Sequence, residues 1–288
     1  KVEKLISKRT KAIMCVDIFG QSCDMDALKK IALNYNLKLI SDTAQAPGAK
    51  IDNNFAGTKA DIGGFSLNYH KHINCGEGGL LVTNNDLLAQ RLRLIRNHGE
   101  AVIQTNSKSE LNNILGYNFR LGEIEAAITR EQLKKLDNLV KKKKKVADKL
   151  YEGLSSLKGL NLPKTLKNST HVFYVFGMVL DLDILNKDRD WIIKNLIGEG
   201  VPGLFKGYQN IHLIPMFKNK VAYGENGFPW QGLEDGKSNR EYYPGLCPIA
   251  EELHNKSFIG LNLCAHFFTE RETELVIRAF KKVWSHIT

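Results

Sequence analysis

The chain has 288 residues, 43% of them hydrophobic, and a formal net charge of +10. That length suits one large or two ordinary domains with a real core. No apolar run is long enough to span a bilayer, and the polar, basic opening Lys1–Lys11 shows no signal-peptide pattern.

The five cysteines, Cys15, Cys23, Cys75, Cys247 and Cys264, are odd in number and lack zinc-ligand spacing. They read as free thiols of a reducing, cytoplasmic protein, the localisation expected here. His70, His72 and Cys75 lie close together but have no second ligand pair, so no metal site is expected. Much of the charge comes from Lys134, Lys135, Lys141–Lys145 and Lys149. These lysines fall in a helical pattern almost free of aromatics. They read as a solvated helix face rather than a nucleic-acid interface. Neither a nucleic-acid nor a membrane partner is expected, while phosphorylated small molecules suit a basic protein.

Ala12–Val16 is a short apolar strand. Asp24 or Asp26 can cap the helix that follows, with Leu28, Ile31, Ala32 and Tyr35 at helical spacing. Leu37–Ser41 is the next strand, ending at Asp42. Strand, helix and strand within about thirty residues predict a βαβ crossover in a parallel sheet. Ligands of such sheets bind beyond the carboxyl ends of the strands, where Asp42 stands. Asp61–Leu67 and Gly79–Thr83 read as two more strands. Asn85 caps a helix carrying Leu88, Leu92 and Ile95, which stops near Gly99.

Residues 100–117 carry little pattern. A long helix is predicted from Gly122 to Ser156 on the stripe Ile124, Ile128, Leu136, Leu139, Val146 and Leu150. Val172–Leu180 follows as a strand and Trp191–Leu196 as a helix. Val201–Gly245 is irregular but rich in aromatics, which suits a binding loop better than disorder. Ile259–Cys264 is a last strand. Thr269 and Glu272 then form a capping box for a helix burying Val276, Ala279, Phe280 and Val283.

Three features fall on the carboxyl edge of one sheet: Asp42 with Gln45 three residues on, Ser66 followed five positions later by Lys71, and the turn Gly76-Glu77-Gly78-Gly79. A pyridoxal phosphate site needs such parts. An amine reacts with the aldehyde, a carboxylate keeps the pyridine nitrogen protonated, and hydroxyl and backbone donors hold the phosphate. Each residue also has a plainer reading: Asp42 as a helix cap, Ser66 as a strand end, Lys71 as a surface lysine. Spacing alone leaves both open.

Four motifs in order carry a resemblance. Ser41-Asp42-Thr43-Ala44-Gln45-Ala46-Pro47-Gly48-Ala49 resembles the Asp-x-Ala-Gln-Ala-x-Gly-Ala segment of the DegT/DnrJ/EryC1/StrS sugar aminotransferases. Phe65-Ser66, Lys71 and Gly76–Gly79 are similar to their cofactor-lysine segment. Gly116-Tyr117-Asn118-Phe119-Arg120 resembles their Gly-Tyr-Asn-x-Arg motif, and Gln21–Ala27 their Gly-Gln-x-x-Asp-Met-Asp segment. The match runs from about residue 10 to 136 and resumes weakly in the last forty.

The resemblance implies an α/β fold, the three-layer type I fold of pyridoxal phosphate-dependent transferases. This has a mostly parallel sheet with helices on both faces and a smaller C-terminal α+β domain. The divisions would be 1–121, the remaining part of the large domain; 122–156, a linking helix; and 157–288, the small domain. It implies an aminotransferase that moves an amino group, with L-glutamate as donor, onto a nucleotide-linked keto-sugar. Lys71 would form the Schiff base and shuttle the proton. Asp42 would pair with the pyridine nitrogen, Gln45 with the phenolic oxygen and Ser66 with the phosphate. Asn118 would reach the cofactor of a neighbouring subunit, so a homodimer with shared sites is implied; a helix-capping role is the plain alternative.

Sugar dehydratases of the family resemble His-His-Ile-x-x-Gly-Glu-Gly-Gly here. The chain reads Lys71-His72-Ile73-Asn74-Cys75-Gly76-Glu77-Gly78-Gly79, so lysine at the deciding position favours transamination. His72 is either a second acid–base group or a packed, backbone-bonded side chain. His212 and Pro215 resemble a His-x-x-Pro motif of the substrate region, with Tyr208, Gln209 and Trp230 as further substrate candidates. Aligned with the family, Lys1 falls inside the large domain. An incomplete chain is therefore expected, lacking the first strands, a glycine-threonine phosphate segment and a ring-stacking aromatic. A truncated, non-catalytic product is the remaining alternative.

Overall fold

The computed structural model describes residues 1–99, 114–224, 227–230 and 241–287. The described chain falls into two compact units. The first holds 1–149, 164–176 and 263–269, and the second holds 150–163, 177–262 and 270–288.

The first unit is built on a four-stranded sheet of β1 (Ala12–Val16), β2 (Lys38–Asp42), β5 (Ile62–Ser66) and β6 (Gly79–Val82), in that spatial order. Strands β1, β2 and β5 run parallel, with Val16 opposite Asp42 and Asp42 opposite Gly64. Strand β6 returns antiparallel, with Ser66 opposite Gly79. Between β2 and β5 sits a small antiparallel pair, β3 (Lys50–Ile51) and β4 (Asn54–Phe55). Helix α1 (Met25–Asn34) makes the β1–β2 crossover. Its N-cap is Asp24, whose side chain accepts from Ala27 N. Met25 and Ala32 bury against Cys15 and Leu39. Full burial of a side chain such as Met25 or Leu39 contributes about 1.5–3 kcal/mol, which seats the crossover on this sheet face. Asn85 caps α2 (Asp86–Arg96) by accepting from Leu88 N.

The stretch predicted as one long helix is two: α3 (Glu123–Leu133) and α4 (Leu136–Leu154). The break at Lys134–Lys135 is closed by a tight bond from Lys135 N to Gln132 O. It resets the phase of the stripe. Ile124 and Ile128 of α3 are 75% and 43% exposed, whereas Leu136, Ala147, Leu150 and Leu154 of α4 are buried. Nor is the lysine run wholly solvated: Lys143 is buried.

The second unit carries a four-stranded sheet in the order β7 (Leu160–Asn161), β8 (Phe176–Leu180), β10 (Phe258–Leu261), β9 (Leu204–Phe205). Its core includes Met178, Ile192, Leu196, Ile259, Leu261, Phe280 and Trp284, supplied in part by α5 (Arg189–Gly198) and α8 (Glu270–Trp284). A short helix, α6 (Pro215–Lys218), interrupts the stretch expected to be irregular, and a second, α7 (Pro248–Glu252), follows it. The strand predicted over 172–180 forms only at 176–180. Phe173 has a φ of +51°, and the N–H groups of Val172 and Val175 turn to Gly20 O and Phe19 O. No described helix is long and apolar enough to cross a membrane.

Candidate functional site

The carboxyl ends of β1, β2 and β5 bring Asp17, Asp42 and Ser66 to one edge of the first unit. Alternation along a strand sends Ser41 and Thr43 to one face and Asp42 to the other. Ser41 and Thr43 meet Asp17, which is wholly buried and accepts both hydroxyls on Oδ2, at 2.9 and 2.8 Å. Its Oδ1 accepts Cys23 N at 2.8 Å, and its backbone N–H donates to Asp42 O at 2.9 Å. The strand end carrying Asp42 is thereby fixed from both flanks. Asp42 Oδ1 itself accepts Ala44 N at 3.1 Å. Gln45 turns its carbonyl to Phe19 N at 2.8 Å, so its amide nitrogen is the end able to donate to an acceptor.

Residues 67–78 form the loop between β5 and β6. Three backbone bonds shape it, from Leu67 N to Gly78 O, Lys71 N to Asn68 O and Cys75 N to Leu67 O. Gly76 takes a φ of +93°, a left-handed turn that suits glycine. Ser66 Oγ accepts Asn68 N at 3.2 Å.

Lys71 is half-buried, and its ammonium lies 4.9 Å from the ring centre of Tyr174. Burial holds the amine below the usual lysine range, an effect partly offset by Cys264 and Asp42. A lysine so disposed supplies free amine at lower pH than a solvated one.

His72 is buried, and its Nε2–H donates to Val172 O at 3.0 Å. Its Nδ1 has no partner among the described residues. Burial drives its pKa down to about 4, so the ring is neutral, and His171 is driven down to about 4 likewise. The backbone-bonded alternative for His72 is the one the geometry matches. Cys264 lies beside this group. Its thiol donates to His70 O at 3.5 Å and burial pushes it up to about 11, against the pull of Lys143 and Lys71.

Asn118 is exposed and bridges to Asn97, while Arg120 donates to Asn97 Oδ1 at 2.7 Å. Helix α3 begins at Gly122 with no side-chain cap, so Asn118 is not its cap. Tyr208, His212 and Trp230 belong to the second unit. His212 Nε2 meets Glu251 at 2.9 Å, and the same carboxylate takes the N–H groups of Gly245 and Cys247. Trp230 Nε1 donates to Tyr242 at 3.2 Å, and Tyr208 packs beside Phe205. Residues 100–113 of the unpatterned stretch, and residues 225–226 and 231–240, lie outside the described residues.

The same unit thus holds an amine, a carboxylate, an amide and a hydroxyl on one sheet edge. This donor set fits an aldehyde-bearing pyridine phosphate. Among the described residues no three His, Cys, Asp or Glu side chains cluster to hold a metal ion. A cavity of about 580 Å³ opens at the opposite ends of β2 and β5, lined by Lys38, Asp61 and Thr83 among others. It includes none of the expected site residues.

The profile of the DegT/DnrJ/EryC1/StrS aminotransferase family matches residues 1–231. The chain belongs to that family. It is 32% identical over 219 residues to a GDP-perosamine synthase of Escherichia coli O157:H7, covering 76% of this chain and 57% of that protein. It is 38% identical over 199 residues to a dTDP-3-amino-3,4,6-trideoxy-alpha-D-glucose transaminase of Micromonospora megalomicea subsp. nigra, covering 68% and 50%. Among solved structures, DesV of S. venezuelae in complex with a ketimine intermediate superposes with a TM-score of 0.79 at 28% identity, covering 98% of this chain and 67% of that one. An aminotransferase of Psychrobacter cryohalolentis gives 0.82 at 27%, covering 99% and 71%. The chain spans about half the length of these curated relatives. Its α/β architecture is that of the family's pyridoxal phosphate-dependent fold.

Sequence reasoning did not single out Asp17, Tyr174, Cys264 or Lys143. Asp17 directly follows β1 as Asp42 ends β2, so the same strand-end rule could have found it. Tyr174 and Cys264 reach Lys71 across about a hundred residues or more, and no local pattern signals that.

Proposed function

We propose that this chain carries the catalytic lysine of a pyridoxal phosphate-dependent aminotransferase. The enzyme would transfer an amino group from an amino acid, with L-glutamate as donor, to a nucleotide-linked keto-sugar. The observation that carries the reading is Lys71. It is half-buried, lowered in pKa and carried on the loop between β5 and β6, in a family whose named relatives include sugar transaminases. Bound there, the cofactor would supply an electrophilic aldehyde and an electron sink.

The residues divide the remaining work. Lys71 would hold the cofactor covalently, then move a proton at its Nζ. Asp42 would keep the ring nitrogen protonated, with Asp17, Ser41 and Thr43 holding its strand end still. Gln45 would donate to the phenolic oxygen and Ser66 to the phosphate. Asn118, exposed on its loop, is available to a second copy, which fits a homodimer with shared sites. Tyr208, His212 and Trp230 remain the candidates for the sugar. His212 would act through the loop that Glu251 pins rather than as an acid or base.

The reaction is tested with nitrogen-15 glutamate, pyridoxal phosphate and a nucleotide-linked keto-sugar. The label is expected in an amino-sugar product. A product that has lost a hydroxyl and gained no nitrogen would instead place the chain with the dehydratases.

A further inference from the structure

Lys143 lies in the middle of the lysine run of α4, yet it is 5% exposed while Lys141, Lys142, Lys144 and Lys145 are open to solvent. Lys144 pairs with Asp148, but no carboxylate among the described residues lies within ion-pair distance of Lys143. A buried ammonium without a counter-charge is costly. This one is held by carbonyl oxygens and a ring. It donates to His266 O at 2.7 Å and to Cys264 O at 3.4 Å, and it lies 4.2 Å from the ring centre of Phe267. Those three residues belong to one short segment, 264–267, which α4 thereby clamps.

The clamped segment leads to Lys71 by two routes. Cys264 Sγ donates to His70 O, one residue before Lys71. Cys264 N donates at 3.0 Å to the carbonyl of Tyr174, whose ring lies beside the Lys71 ammonium. The titratable groups facing Lys71 are Asp42 on β2, His70 and His72 on its own loop, Tyr174 and Cys264. We propose that Lys143 is a positioning residue for Lys71. By fixing segment 264–267, it holds Cys264 and Tyr174 against the loop and keeps the Lys71 amine partly shielded from water. The proposal rests on Lys71 as the cofactor lysine, but its test needs no cofactor.

Reductive methylation modifies only the free-base form of an amine. Its pH profile at Lys71, followed by peptide mass spectrometry, reads the environment of that nitrogen. Lys143→Met is expected to raise the midpoint at Lys71 by about 0.5–1 pH unit, as water reaches the amine. It should also speed amide hydrogen exchange in both 68–75 and 262–269. Lys143→Arg should keep both near the parent values, and Lys144→Met should change neither. Faster exchange in 262–269 alone, with the Lys71 midpoint unmoved, would make Lys143 merely structural and overturn the proposal. If Lys143→Met fails to fold, Lys143→Gln, which also removes the ammonium, is read in the same way, and an unmoved midpoint there overturns the proposal equally. A separate arm adds pyridoxal phosphate and borohydride. Labelling away from Lys71 would remove the cofactor reading while leaving the clamp itself intact.

Discussion

The loop around Lys71 and the segments 206–224 and 241–257 both lack strands, but they are held differently. The first is short and tied to a sheet edge. Its ends are paired residues of β5 and β6, and its middle is closed by bonds between near neighbours such as Lys71 N to Asn68 O. The second is longer and depends on two charged side chains, Arg189 and Glu251. The guanidinium of Arg189 donates to the carbonyls of His254 at 2.6 Å and Asn255 at 2.9 Å, and more weakly to those of Lys206 and Leu253. Glu251 gathers Gly245, Cys247 and His212. The Lys71 loop is also tied from outside, with His72 Nε2–H donating to Val172 O and Cys264 Sγ–H donating to His70 O.

This difference predicts where damage should spread. Removing an anchor of the second region should be the most costly change to the fold. Arg189→Met removes a charged donor from several part-buried carbonyls and should cost about 1.5–3 kcal/mol. Urea unfolding should show the loss. Near-parent stability would mean that the guanidinium does not organise the region.

The first region should respond instead to acid. His72 and His171 are neutral and buried, each with its pKa lowered from 6.5 to about 4. The unfolded chain binds these protons more readily. Their stabilisation is therefore fully present above about pH 6.5 and is lost as pH falls through the window down to about pH 4. Between pH 7 and pH 5 each imidazole should account for about 2 kcal/mol. His72→Gln, which can still donate to Val172 O, should remove about half of the pair's combined pH slope. An unchanged slope would show that neither the burial nor the lowered pKa of His72 matters to folding.

Smaller effects sharpen the contrast. Glu251→Ala should raise hydrogen exchange at 243–247 and leave the 68–75 loop as it was. Spread into the Lys71 loop would contradict the separate mounting of the two regions. Lys59, which bridges Asp26 and Asp52 near the surface, should matter least. Water and salt screen such pairs, so Lys59→Met should barely move a thermal melt.

Much of the first region was legible in the sequence because its signals are local. Asp24 and Asn85 are side-chain caps three residues before the N–H they bind, and Gly76 is a glycine where φ is positive. Asp42, Gln45, Ser66 and Lys71 follow from strand ends and a turn. What failed to show depends on distance. The break at Lys134–Lys135 comes from which face of α4 finds a core, and helical spacing alone runs straight through it. The strand expected at 172–175 is diverted by bonds to Phe19 and Gly20, some hundred and fifty residues earlier. The lysine run looked uniformly solvated because nothing near Lys143 in sequence announces carbonyls at 264 and 266.

The most direct test is to reduce the chain with borohydride in the presence of pyridoxal phosphate and to map the modified peptide. The account predicts a single pyridoxyl group on Lys71, lost in Lys71→Met, with activity reduced by at least about 10²–10⁴-fold. Stable modification of another lysine, with Lys71→Met still labelled and active, would contradict it.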